Sequence, residues 1–482
     1  MKVGMDMKGS SHWNYRPYMP IDRYIRRNSP CITRMAPAAR SCELSWINLG
    51  DPDKTCLLHC RQRGSNKSAI TFEVYASRIL IPDLRPHTEY EVCISYADDP
   101  VFCSDLRLFR TSDIEGTVVN YLHPLDQAYS FSGSYLCSPS IVRTPSGRLL
   151  TSMDVYGMGT PQNLSFVYYS DDNGLTWDYL TSLFPCFWGK LFVHDNRVYM
   201  LALTGEYGNL VIGYSDDDGL TWSNAITLFP GSGIRDEKGM HQAPTPVILH
   251  NGRLWTAVDY GSWNLGGHSS AIISIDASKD LMNAENWVCS EFVPFDPQWP
   301  GTVEGSLWGC LEGNAVAGPD GTVYNMLRYQ ISDVRNKPKN PDSPTNGKAL
   351  LLKMNPDDPE KPLAFHKFID FNGGMSKFHV LYDEISGRYI SLVNRVLDDS
   401  TPAQRNVLAL AVSEDLENWH IVKNILDYSD ESPNEVAYQY VSFLFDGKDI
   451  LFVSRTAYNH AFNYHNTNYI TFHRIQDFRS LL

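Results

Sequence analysis

Nowhere among the 482 residues do 18 apolar side chains run together. A membrane-crossing helix needs about that many, so no span is expected. A basic surplus is missing too: 41 Lys and Arg stand against 55 Asp and Glu, a formal net charge of −14. Nucleic acid is therefore a poor partner, because no excess cations exist to displace its counterions. A pocket can still be locally basic inside an acidic protein. The ten cysteines form no C-x-x-C pair and no metal-like spacing. They read as reduced thiols, although Cys93 and Cys103 could cross a hairpin in an oxidising compartment. Phosphate loops, zinc signatures and Ser-His-Asp motifs are absent, and no cofactor or metal is expected. Met1–Pro20 lacks the apolar core of a secretory leader. That fits a cytoplasmic protein, or a secreted one whose leader has been trimmed. Charged residues are only 20%, too few for a disordered or fibrous chain.

What the chain does have is apolar and aromatic content, 43% and 12%, with 11 Trp and 27 Tyr. These suit several β cores better than one, and the length suits two or three domains. Residues 1–38 read as an irregular arm carrying Arg23, Arg26 and Arg27. Residues 39–113 read as short strands: Cys42–Trp46 and Ile70–Tyr75 alternate apolar and polar side chains.

From residue 114 to 482 the chain repeats itself. Ser170-Asp-Asp-Asn-Gly-Leu-Thr-Trp177 recurs 45 residues later as Ser215-Asp-Asp-Asp-Gly-Leu-Thr-Trp222. The Asp can accept backbone N–H bonds inside a turn, Gly supplies positive φ, and Trp returns into the sheet. Eroded copies start at Ser278 and Ser413. Six further segments read as strand, tight turn, strand. Their turns are Pro145-Ser-Gly147, His194-Asp-Asn196, Asn251-Gly252, Pro319-Asp-Gly321, Ser386-Gly387 and Asp446-Gly447. The pattern predicts an all-β fold, a six-bladed β-propeller preceded by a small β-sandwich. Thr117–Tyr121 and Asn468–Phe472 are left over to close the ring.

In such a ring the innermost strands begin at the mouth of a central channel, where ligands sit. The residues read at those starts are Tyr135 and Cys137, Trp188, His241 and Gln242, Glu312 and Asn314, Lys377 and His379, and Tyr438 and Tyr440. His465 is read as part of a loop over the channel, and His473 as structural. Asp172 and Asp217 belong to the outer turns and are read as structural.

Two resemblances follow from these motifs. Leu84-Arg-Pro-His-Thr-Glu-Tyr90-Glu-Val-Cys-Ile94 resembles the fibronectin type III corner, in which a Tyr hydroxyl pins the backbone. The repeated Ser-x-Asp-x-Gly-x-Thr-Trp segments resemble the Asp boxes of the sialidase superfamily. In that family a Glu is followed sixteen residues on by an Arg across a Gly turn, matched here by Glu312, Asp320-Gly321 and Arg328. Its nucleophile is a Tyr opening the sixth blade, matched by Tyr440-Val-Ser-Phe. The resemblance implies that Glu312 activates Tyr440 and that Arg328 clamps a sugar carboxylate. It also implies a first-blade Arg, which is Cys137 here. Arg395 and Arg455 are candidates for the remaining Arg, Asp154 for the acid, and Asp259 and Glu304 are reserve carboxylates. His241 and His379 are candidate acid–base groups. The expected catalytic set is Glu312, Tyr440, His241 and His379. The expected substrate-binding set is Arg328, Gln242, Asn314, Trp188, Lys377, Tyr438 and His465. The implied function is an exo-acting glycoside hydrolase on a terminal sugar, acidic in one form, with a glycan as partner. The alternatives are a uronate lyase with a His or Tyr base, and a carbohydrate-binding propeller without catalysis.

Overall fold

The computed structural model describes residues 28–66, 68–303, 309–331, 347–398 and 400–482. Among them the chain forms eight antiparallel sheets and only short 3₁₀ turns of helix.

Two sheets make the N-terminal unit. Strands Pro30–Pro37, Cys42–Asn48 and Arg78–Ile81 form one. Ile70–Val74, Cys56–Gln62, Glu89–Tyr96 and Arg107–Arg110 form the other. Alternate side chains, among them Leu44 and Trp46, Leu58 and Cys60, and Val92 and Ile94, enter one core. Tyr90 Oη accepts a hydrogen bond from the Arg85 backbone N–H at 2.9 Å, fixing the turn ahead of its strand. The expected irregular arm is corrected over its last part, because Pro30–Pro37 is a strand paired with Cys42–Asn48. Its alternation was hidden by Arg34, which is buried for a reason the sequence does not display. Its guanidinium donates to the Val118 and Val119 carbonyls, each at 2.9 Å, and pairs with Glu43. Arg34 thereby joins this unit to the rest of the chain. Arg23, Arg26 and Arg27 lie outside the described residues.

The other six sheets follow one another along the sequence. Their innermost strands are Tyr135–Arg143, Phe187–His194, Gly239–His241, Gly309–Ala317, His379–Asp383 and Ala437–Asp446. Short turns join five of these to their neighbours, and in the third sheet Ile248–His250 lies between Gly239–His241 and the turn into Arg253–Ser262; Asp195 and Asn196 both adopt positive φ, as do Asn251 and Gly252. The sixth sheet takes its outermost strand, Thr117–Tyr121, from the start of this region, paired with Tyr469–Ile475. Buried apolar side chains sort into clusters between consecutive sheets. Leu150 and Met200 lie between the first and second, Leu201 and Val258 between the second and third, and Trp255 and Leu327 between the third and fourth. Met326 and Val393 lie between the fourth and fifth, Leu392 and Phe443 between the fifth and sixth, and Val453 and Met153 between the sixth and first. Each such side chain contributes roughly 1.5–3 kcal/mol on burial. The innermost strands of the sixth and first sheets also touch.

The repeated Asp segments are turns between the third and fourth strands of the first two sheets. Asp172 accepts from Thr176 N at 2.9 Å and Thr176 Oγ1 at 2.6 Å; Asp217 accepts from the Thr221 N–H and Oγ1 at 2.8 and 2.7 Å. Trp177 and Trp222 are buried in the seams between sheets.

Candidate active site

Four innermost strands carry a β-bulge at the same place, and each bulge holds a non-glycine residue at positive φ: Ser138 (47°), Trp188 (49°), Glu312 (54°) and Tyr440 (52°). A bulge interrupts the alternation of the strand and re-aims one side chain. After Glu312 comes a glycine, and a Cβ on Gly313 would sit 1.9 Å from Asn325 Oδ1, so a larger residue would have to displace that side chain.

Two of these bulges bring their side chains together. Tyr440 Oη donates to Glu312 Oε1 at 2.7 Å, and Arg328 Nη1 donates to Glu312 Oε2 at 2.7 Å and to Tyr440 Oη at 3.1 Å. All three are at least nine-tenths buried. Arg328 is oriented by Nε donating to the Met375 carbonyl at 2.9 Å and by a hydrogen bond to Gln330. Arg455 and Arg405 lie over the Tyr440 ring, their guanidinium carbons 5.0 and 5.6 Å from its centroid. Arg455 is held by the His465 carbonyl, Arg405 by Gln439. Burial pushes the Glu312 carboxyl up, but Arg328 and His241 outweigh it and hold the group below the usual carboxylate range. Burial first, then the Glu312 charge, push Tyr440 up to about 12.

Asp259 aims this unit from behind. Its Oδ2 accepts from the Glu312 backbone N–H at 2.9 Å and pairs with His241 Nδ1 at 3.2 Å, while Oδ1 accepts from Ser270 Oγ at 2.9 Å. The His241 ring packs against Trp188 at 4.4 Å and His268 at 4.2 Å. Gln242 braces the Trp188 bulge, with Nε2 donating to the Trp188 carbonyl at 2.8 Å. The His465 and Tyr156 rings meet in a T-shaped contact at 5.6 Å, and Arg455 lies over the Tyr156 ring.

Other expected residues stand apart. Tyr438 is corrected: its ring packs on Tyr428 and His473 in the seam between the fifth and sixth sheets. The bulge at Tyr440 breaks the alternation that would have put both tyrosines on one side. Asn314 is a brace, donating to the Phe378 carbonyl at 3.2 Å and accepting from Val380 N at 3.0 Å. Lys377 donates to the Val441 carbonyl at 2.6 Å, and His379 packs on Phe443 at 4.7 Å. Arg395 bonds to Asn424 instead. Tyr135 packs on Phe462. Cys137 is buried opposite Asp154, its thiol pushed up to about 12 by burial. Asp154 binds Ser165 and the Trp188 N–H, and burial pushes it up to about 8. Glu304 lies outside the described residues. Sequence reasoning missed Arg405, which precedes strand Val407–Ser413 in a loop without a motif, and His268. The only signal for Arg405 was its place just before an apolar strand.

No protein-family model matches the chain, and no curated protein sequence does. Solved structures do resemble it. An α-L-arabinanase of Penicillium chrysogenum complexed with arabinobiose is 13% identical, with a TM-score of 0.47 over 75% of this chain and 98% of its own. The NanB sialidase of Streptococcus pneumoniae is 11% identical, with a TM-score of 0.48 over 92% of this chain and 93% of its own. A leech intramolecular trans-sialidase is 10% identical, with a TM-score of 0.46 over 96% and 93%. At these scores the likeness carries no argument about what this chain acts on.

Proposed function

We propose that the six consecutive sheets are the blades of a sialidase-like β-propeller and that the chain is an exo-acting glycoside hydrolase whose nucleophile is Tyr440. The observation that carries the reading is the buried 2.7 Å hydrogen bond from Tyr440 Oη to Glu312, with Arg328 on both. A phenol pushed up to about 12 is a weak nucleophile by itself. With a carboxylate in contact, its proton passes to Glu312 Oε1 as Oη bonds to the anomeric carbon and the bond to the leaving oxygen breaks. Water then attacks the anomeric carbon, Glu312 returns its proton to the departing Tyr440 oxygen to restore the phenol, and the proton lost by the water goes to the released leaving oxygen. Arg328, Arg405 and Arg455 around the ring favour a terminal sugar bearing a carboxylate. The N-terminal sandwich, with its Tyr90 corner, is a fibronectin type III-like spacer or docking module in this reading.

The test is hydrolysis of a panel of aryl glycosides and oligosaccharides, acidic and neutral, by the full chain and by Tyr440→Phe. Release of acidic sugar that the variant loses supports the reading. A product absorbing near ~235 nm would instead mark a lyase, and binding without turnover a lectin-like propeller; either outcome contradicts hydrolysis.

A further inference from the structure

Between the second and third strands of the sixth sheet, residues 458–468 form a closed loop. Asn468 ties its two ends: Nδ2 donates to the Tyr458 carbonyl at 2.8 Å, and Oδ1 accepts from the Tyr458 N–H at 3.3 Å. Inside the loop, Asn463 Oδ1 accepts from the His465 and Asn466 N–H groups at 2.9 and 2.7 Å. The Tyr464 N–H donates to the Asn434 carbonyl at 2.8 Å. Asn459 and His460 hold positive φ, 51° and 63°, which residues other than glycine adopt rarely. All this backbone fixing presents an apolar ring to water, because Phe462 is 63% exposed.

Phe462 is not an isolated surface ring. It meets Tyr135 at 5.6 Å, and Tyr135 meets Tyr156 at 6.5 Å. The Arg455 guanidinium lies 5.4 Å from the Tyr156 ring and 5.0 Å from the Tyr440 ring. A connected series of side chains therefore runs from Tyr440 out to solvent. Tyr135, Tyr156 and His465 along it are half-buried. Asn466 supplies an amide beside the rings, bonded to the Tyr135 hydroxyl and to His465 Nδ1, the latter at 2.9 Å.

The two ends of the series differ in charge. The inner end is cationic, through Arg455 and Arg405 over the Tyr440 ring. The outer end, made of Tyr156, Tyr135, Phe462 and Asn466, holds no acidic or basic side chain. Burial first, then Arg455 and Arg405, hold His465 well below its usual range, so it is neutral as well. A pyranose ring has the matching make-up, with an apolar C–H face for an aromatic ring and hydroxyls for amide and phenol groups. A charged group would find no counter-charge there.

We infer that Phe462 and Tyr135 form a stacking platform for a neutral sugar on the leaving side of the scissile bond, so that the substrate is an oligosaccharide and not a simple glycoside. Placing that sugar on the leaving side rests on the reading of Tyr440 as nucleophile. Binding of the sugar to the platform does not.

Four neutral disaccharides are the probes: lactose, cellobiose, xylobiose and maltose. Saturation-transfer NMR titrations compare the full chain with Tyr440→Phe, Phe462→Ala and Phe462→Trp. At least one disaccharide should bind the full chain and Tyr440→Phe alike. Phe462→Ala should weaken that binding roughly 3- to 10-fold, the scale of one lost aromatic contact, and Phe462→Trp should restore it. Phe462 projects into water, so these variants test the platform without disturbing a core. No binding of any of the four, or equal binding by the full chain and Phe462→Ala, would overturn the inference. Absence of hydrolysis would count against Tyr440 as nucleophile and leave the binding result standing.

Discussion

Asp154 and Asp259 occupy the same place in the first and third sheets. Each stands on the second strand, each accepts from a serine of the third strand (Ser165 or Ser270), and each caps the backbone N–H of the bulge residue in the following sheet. That bulge residue is Trp188 in one case and Glu312 in the other. The residue paired across the strand is Cys137 beside Asp154 and His241 beside Asp259. In the fourth and sixth sheets the corresponding register position holds Arg328 and Arg455, paired with Leu311 and Gln439. The frame is therefore general to this region, and the chemistry depends on which side chain each bulge and each second strand presents. A buried Asp here is first of all a cap on a strained bulge, and only the one in the third sheet, Asp259, turns that device toward a reactive group.

The sharpest way to break the comparison is to exchange the two bulge residues for inert ones. Glu312→Gln should lower turnover by at least ~10²-fold, the scale of a lost acid–base group. Trp188→Phe should lower it by less than about tenfold, because Trp188 supplies packing and not a proton; steady-state kinetics on the same substrate check both. Next come the caps. Asp259→Asn should cut kcat by about tenfold through misplacement of Glu312, whereas Asp154→Asn should leave kcat within about threefold. Equal effects would mean that the two junctions do not differ in function. Among the arginines, Arg455→Met should raise KM about tenfold for an acidic sugar and leave a neutral analogue unchanged.

The smallest effect is on stability. Asp154 has its carboxyl raised from 3.8 to about 8 in the folded state, chiefly by burial. The folded protein holds that proton longer than the unfolded chain, so this group favours folding most below pH ~4 and its contribution is lost as pH rises from ~4 to ~8. Asp154→Asn cannot lose a proton, and urea unfolding at pH 5 and pH 8 should show a shallower decline than in the parent.

Much of this was written in local patterns. Turn dipeptides separated by apolar runs located the hairpins, and the leftover Thr117–Tyr121 does pair with the last strand. Glu312 and Arg328 were singled out together by the sialidase resemblance, and the hairpin places both near the same end, where Leu311 pairs with Arg328. Tyr438 was misjudged because period-two reasoning assumes an unbroken strand, and the Tyr440 bulge re-aims the chain. Arg405 comes from a loop whose path no periodicity encodes. Asn314 and Lys377 are polar at inner positions, as expected, but a side chain's destination is fixed by the neighbouring sheet, and both bind its backbone carbonyls. Arg34 hid a strand because its burial depends on carbonyls more than eighty residues away.

The account turns on covalent participation of Tyr440. Rapid quenching of the full chain with activated, fluorinated glycosides of acidic and neutral sugars, followed by peptide mass mapping, tests it directly. One sugar residue on the peptide bearing Tyr440, absent from Tyr440→Phe, is the expected result. Label on another side chain, or undiminished turnover by Tyr440→Phe, would contradict it.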